Sequence, residues 1–293
     1  MFGYTSYCDE SGHSEDPTLL YAGMAGFVAP AGAWEVFEDE WKELLRNAGF
    51  SQLHMKDFAH SEGEFARWKG KQHESERQAF LGRALEIIRN TNATPVGAIV
   101  SLRDFASLTK GQQQSFLNPY YIAFQTCTRG SAVHALFEAP EEKVAMVYSY
   151  NEEYGANKGG RAQQLWEAMK KSIDWRHRMG SYASNTPIEL CPLQAADFLA
   201  YELCHEFENQ IKRPKNGMRF PLTQMLQMVK SPIPKIILFD RKELLRRVKE
   251  SKFGDQTGVE EVAPDQMAAA ASGMTRWMME RAGITFSLAD LEW

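Results

Sequence analysis

The sequence lacks the motifs that most often settle a function. Gly-x-x-x-x-Gly-Lys, Gly-x-Gly-x-x-Gly, His-Glu-x-x-His and Gly-x-Ser-x-Gly are all missing, which removes the phosphate-loop, dinucleotide, zincin and nucleophile-elbow signatures. No Cys-x-x-Cys pair exists: the four cysteines, Cys8, Cys127, Cys191 and Cys204, are scattered. Zinc-ribbon and thioredoxin-type chemistry are thereby excluded, and reduced thiols in a cytoplasmic protein are expected. No apolar run approaches the ~18 residues of a membrane span. The start, Met1-Phe2-Gly3-Tyr4, has neither the basic flank nor the long apolar core of a signal peptide. Positive charge is also in deficit, with 33 Lys and Arg against 38 Asp and Glu and a net charge of -5. No global field therefore draws the chain onto nucleic acid, and any such contact must be local.

What remains is an ordinary globular composition, 44% hydrophobic and 24% charged over 293 residues, enough for one elaborated domain or two smaller ones. Residues 2–8 read as a strand that ends in Asp9 and Glu10 and breaks at Ser11-Gly12. Turn chemistry follows, then a second strand at 19–28, so the two are expected to form a hairpin. Trp34, Phe37, Trp41 and Leu44 recur at helical spacing before Gly49, a residue suited to end a helix. Further helices are expected at 74–90, 119–137, 162–177, 192–208, 220–229 and 241–252, and strands at 95–102, 143–150 and 236–239. Strands alternating with helices after an opening hairpin give an α/β domain. It is taken to span 1–252, with residues 253–293 as a C-terminal extension holding a peripheral helix and a loosely attached end.

Two acids are out of place. Asp9 closes an apolar strand, and Asp197 sits in Pro192-Leu193-Gln194-Ala195-Ala196-Asp197-Phe198, a helix apolar almost all round and therefore buried. A carboxylate there is costly unless a cation or strong donors meet it. Gln194, three residues earlier, shares the face of Asp197. A salt bridge or a helix cap would serve Asp197 as well as a metal would.

Tyr7-Cys8-Asp9-Glu10-Ser11-Gly12, then His54-Met55-Lys56, then Leu193-Gln194-Ala195-Ala196-Asp197 occur in an order that resembles the domain of unknown function 3800 family, regarded as ribonuclease H-like in fold. The resemblance spans roughly residues 2–210. It implies a mixed central sheet flanked by helices, with helical insertions, and a shared Mg²⁺ or Mn²⁺ site anchored by Asp9 and Asp197. Such ions take oxygen ligands and leave water and substrate phosphate to complete the shell; two of them about 4 Å apart activate water and stabilise a leaving oxygen. The strand at 143–150 carries Tyr148 and Tyr150 where a central acid is expected, so Glu152, just beyond it, is the candidate third ligand.

Strand alternation turns Glu10 away from Asp9, in a supporting role. Ser11 caps the turn and, with Lys56 and Gln194, is assigned to the substrate side. His54 suits a phosphate contact or a proton shuttle. The leading expectation is thus a metal-dependent phosphodiesterase, a nuclease acting on DNA or RNA. Its polyanion contacts would be the basic runs Lys170, Lys171, Arg176 and Arg178 around Trp175, and Arg241, Lys242, Arg246, Arg247 and Lys249. The alternatives are a non-catalytic interaction module with the same fold, or a phosphoesterase of small nucleotides.

Overall fold

In a computed structural model, residues 3–12, 18–157, 159–171, 177–213, 217–227 and 236–253 are described. The expectations for 254–293, for Trp175 and Arg176 and for the first hairpin turn lie outside them.

The elements run β1 (Tyr4–Ser11), β2 (Tyr21–Pro30), α1 (Ala31–Ala48), α2 (Met55–His60), α3 (Glu74–Asn90), β3 (Thr94–Ser101), α4 (Leu102–Ala106), α5 (Lys110–Gln114) and α6 (Pro119–Glu138). They continue with β4 (Val144–Ser149), α7 (Arg161–Lys171), β5 (Met179–Asn185), α8 (Pro192–Lys212), α9 (Phe220–Leu226), β6 (Ile236–Phe239) and α10 (Arg241–Phe253). Six strands form one sheet in the order β5-β4-β1-β2-β3-β6. β1, β2 and β3 are an antiparallel meander, while β4 adds parallel to the free edge of β1, β5 parallel to β4, and β6 parallel to β3. The chain is thus an α/β protein with a mixed sheet flanked by helices.

Local chemistry explains several boundaries. Gly49 takes φ 71°, a left-handed value that costs glycine nothing, and its N–H returns to the last carbonyls of α1. Pro119 occupies the first turn of α6, where its missing N–H is not needed, and the Asn118 side chain accepts from Tyr121 N. β1 outruns its expected end because pairing with β2 continues to Ser11 opposite Gly23, so Asp9 and Glu10 lie inside the strand. α4, α5 and β5 are elements that the apolar pattern did not predict. β5, Met-Gly-Ser-Tyr-Ala-Ser-Asn, has few apolar residues because it is an edge strand, buried mainly at its start.

Two cores lie on opposite faces of the sheet. One packs Tyr7 and Ala25 against α1, α3, α8 and α9; the other packs Cys8, Met24 and Tyr148 against α6, α7 and α10. α8 crosses β1 and β2, and small residues let it approach. Ala195, Ala196 and Ala200 are buried, and a Cβ on Gly97 of β3 would stand 3.0 Å from Ala25 Cβ and 3.4 Å from Leu203 Cδ1. Gly26 is the tightest point of the hairpin, where a Cβ would fall 1.8 Å from Tyr7 O. The cysteines are buried and free, as expected. Among the described residues no helix is long and apolar enough to cross a membrane.

Candidate acid centre

The site is built where β1 ends. Pairing sets Cys8 beside Tyr148 of β4, and Tyr148 turns with Cys8 into the α6-side core, where Thr128 holds its hydroxyl at 2.7 Å. Alternation then brings the next residues, Asp9 and Ser149, together on the α8 side, where the Ser149 side chain favours the charged form of the Asp9 carboxyl. The residue beside Asp9 on this strand is therefore Ser149, not either tyrosine. No sequence signal marked it, because a serine at a strand end is unremarkable. Tyr150 is exposed.

Asp9 is 7% exposed and Asp197 9%. Burial pushes the Asp9 carboxyl well above the usual carboxylate range, and the charges of Glu10 and Asp197 push it further. Asp197 rises from 3.8 to about 6, mainly through burial, with the Met55 N–H and the nearby His54 opposing. Glu10 is raised as well, chiefly by desolvation. The hydrogen bond between these neighbours runs through the backbone, the Glu10 N–H donating to Asp9 Oδ1 at 2.8 Å. Glu10 Oε1 accepts from Asn151 Nδ2 at 2.6 Å, while Oε2 is buried with no hydrogen-bond partner. Among the described residues no Lys or Arg forms an ion pair with Asp9, Glu10 or Asp197.

The middle motif is positioned by the late one. Gln194 and Asp197, one turn apart on α8, hold alternate amides of an extended stretch. Gln194 Oε1 accepts from Leu53 N at 2.8 Å, and Asp197 Oδ2 accepts from Met55 N at 2.7 Å. Leu53 and Met55 are buried, and His54 between them points outward at the entrance to α2, its Nδ1 3.1 Å from Asp57 Oδ2. Lys56 is exposed one residue on. Histidine and lysine thus stand on the solvent side of Asp197, and the two motifs form one unit.

Gln194 belongs to the frame. It is fully buried; Oε1 also accepts from Trp41 Nε1 at 2.8 Å, and Nε2 donates to Pro187 O at 2.8 Å. Its amide is committed to three parts of the chain, which corrects the substrate contact expected of it. Ser11 pairs with Gly23, and its carbonyl receives the Cys204 thiol at 3.5 Å. Glu152 is exposed on the turn between Asn151 and Ala156.

The oxygen donors fit a hard divalent ion that keeps most of its water, since Mg²⁺ typically uses one or two carboxylates. A full protein cage is not formed: among the described residues no group of three or more His, Cys, Asp or Glu side chains is disposed to hold a metal.

The basic helices are partly neutralised within themselves. Arg246 and Arg247 reach Glu243 at 2.7 and 3.0 Å, and Lys170 lies over the Trp166 ring at 4.8 Å. A cavity of about 480 Å³ opens at the opposite end of the sheet, among Tyr4, Pro30, Thr94 and His134, and contains none of the candidate residues. Against known proteins, no family model matches the chain and no curated protein matches it, so the functional reading rests on the acid centre itself.

Proposed function

We propose that this protein is a divalent-metal-dependent phosphodiesterase of ribonuclease H-like fold, acting on nucleic acid. One observation carries the reading: Asp9 and Asp197, from the first strand and a late helix, share a buried electrostatic environment in which each carboxyl is held above its ordinary range, and among the described residues neither forms an ion pair with a Lys or Arg. Burying such charge is unfavourable unless a cation meets it. The central position of β1, with α8 across it, supports the fold assignment.

Asp9 and Asp197 would hold Mg²⁺ or Mn²⁺, which when bound supplies a nucleophilic water at neutral pH and stabilises charge on a phosphoryl oxygen. The Glu10 N–H fixes Asp9, and the Met55 N–H fixes Asp197. His54, oriented by Asp57, and Lys56 face the side from which a phosphodiester would approach. Ser11 lines the strand exit, and Glu152 is the acid available to join from solvent.

The hydrogen bonds to Asp9 and Asp197 favour a second reading, in which both acids only brace the fold of a non-catalytic module. Cleavage of DNA and RNA panels in Mn²⁺ by wild type, Asp9→Asn and Asp197→Asn separates the two. Turnover lost in both variants, with the fold retained, is the expected result. Equal activity in all three proteins would overturn the assignment.

A further inference from the structure

The cavity of about 480 Å³ lies at the end of the sheet away from the acid centre, where β1 and β3 begin and β2 ends. Its volume is within the range of small-molecule sites. One stripe of α1 supplies much of its wall: Ala33, Val36, Phe37 and Glu40 recur at the spacing that shares a helix face. Ile87 of α3 adds to the apolar part, and Val36, 61% exposed, stands at the rim.

The polar part carries one sign of charge. α3 and α6 both finish at the cavity, which takes Asn90 and Thr91 from the end of the first and Glu138 from the end of the second. The unpaired carbonyls at a helix C-terminus act as roughly half a negative charge. α1, by contrast, presents its flank. No Lys or Arg is among the described residues that line the cavity, and none of those described forms an ion pair with Glu138. Glu142 packs close by, since a Cβ on Gly3, next to Tyr4, would stand 2.6 Å from its carboxyl carbon. Burial raises the Tyr4 phenol pKa, and the charges of Glu138 and Glu142 raise it further, in keeping with a negative field on this wall. Glu40 is partly neutralised by Arg83 at 3.0 Å, which leaves Glu138 as the main carboxylate to meet a ligand.

The geometry points to a binding site for a small organic cation. The ammonium group of such a ligand sits by Glu138 and the ends of α3 and α6, while its hydrocarbon or aryl body lies on the α1 stripe. The Tyr4 ring, edge-on to His134 at 5.5 Å between centroids, gives the cation an aromatic surface as well. A neutral molecule of the same shape gains nothing from the field, and an anion is repelled. The site is separate from the acid centre and does not depend on the reaction proposed there.

Isothermal titration of the full chain in EDTA, with phenethylamine as the probe, tests the inference. Saturable one-to-one binding is expected. 2-Phenylethanol and 3-phenylpropionate, close in shape but neutral and anionic, should bind far more weakly. Glu138→Gln keeps the volume and removes the charge; it should weaken phenethylamine about fivefold, the effect of one partly solvated ion pair. Ala33→Phe, with its fold checked by circular dichroism, should block the site. Asp197→Asn should leave the affinity unchanged, because the acid centre lies at the other end of the sheet. No saturable binding at millimolar amine, equal binding of the alcohol, an unchanged affinity in Glu138→Gln or in folded Ala33→Phe, or a loss of binding in Asp197→Asn would overturn it.

Discussion

Asp197→Asn separates a metal-binding carboxyl from a bracing one by the sign of its effect. The Asp197 carboxyl is raised from 3.8 to about 6 in the folded protein. Because the folded value exceeds the unfolded one, the folded state binds more protons between them, and stability falls as pH rises through that window. Above it, the ionised group costs roughly 3 kcal/mol relative to its protonated form, at about 1.4 kcal/mol per pH unit of displacement. Asparagine keeps an oxygen for the Met55 N–H and cannot ionise. The variant should therefore be more stable than wild type at pH 7.5 by up to about 3 kcal/mol, and about equal to it near pH 4. Guanidinium unfolding followed by tryptophan fluorescence at both pH values, in EDTA, measures the difference. Mn²⁺ should then stabilise wild type by mass action and stabilise the variant much less. If asparagine destabilises equally at the two pH values, or Mn²⁺ raises Tm in both proteins alike, Asp197 is a brace and the argument fails.

Three other substitutions probe the frame. Ser149→Asp places another carboxyl beside Asp9; it should lower Tm in EDTA at pH 7.5 and enlarge the Mn²⁺-induced rise, as melts with and without metal will show. Gln194→Leu keeps the volume but orphans the Trp41 indole N–H and the Leu53 amide. At about 1–3 kcal/mol for each buried unpaired donor, urea unfolding should show a loss of roughly 3 kcal/mol, whereas a residue that only contacts substrate would show almost none. Gly26→Ala drives a Cβ into the Tyr7 carbonyl; it should abolish soluble folded protein, which circular dichroism and gel filtration will report.

Much of this architecture was legible in the chain because it rests on local rules. Helical periodicity marked α1 and α3, Pro119 and Gly49 marked helix ends, and the apolar runs of β1 to β4 marked the sheet. The isolation of Asp9 and Asp197 in apolar elements was equally plain, since burying a charge is costly wherever the element packs. Edge strand β5 was missed because an edge needs little apolar character, and α4 and α5 because helices of five residues leave almost no period to read.

By itself, then, the sequence determined the longer helices, the apolar strands and which carboxyls are costly to bury. Tertiary structure alone decided which groups meet. Strand register put Ser149 beside Asp9 and sent Tyr148 to the other face. The approach of α8 converted Gln194 from a presumed substrate contact into a clamp on Leu53 and Trp41, and turned His54 outward. The Glu10 carboxyl met Asn151, and Glu152 stayed in solvent. Periodicity is a property of neighbours along one chain, whereas these pairings depend on sheet order and helix approach, which no single segment encodes.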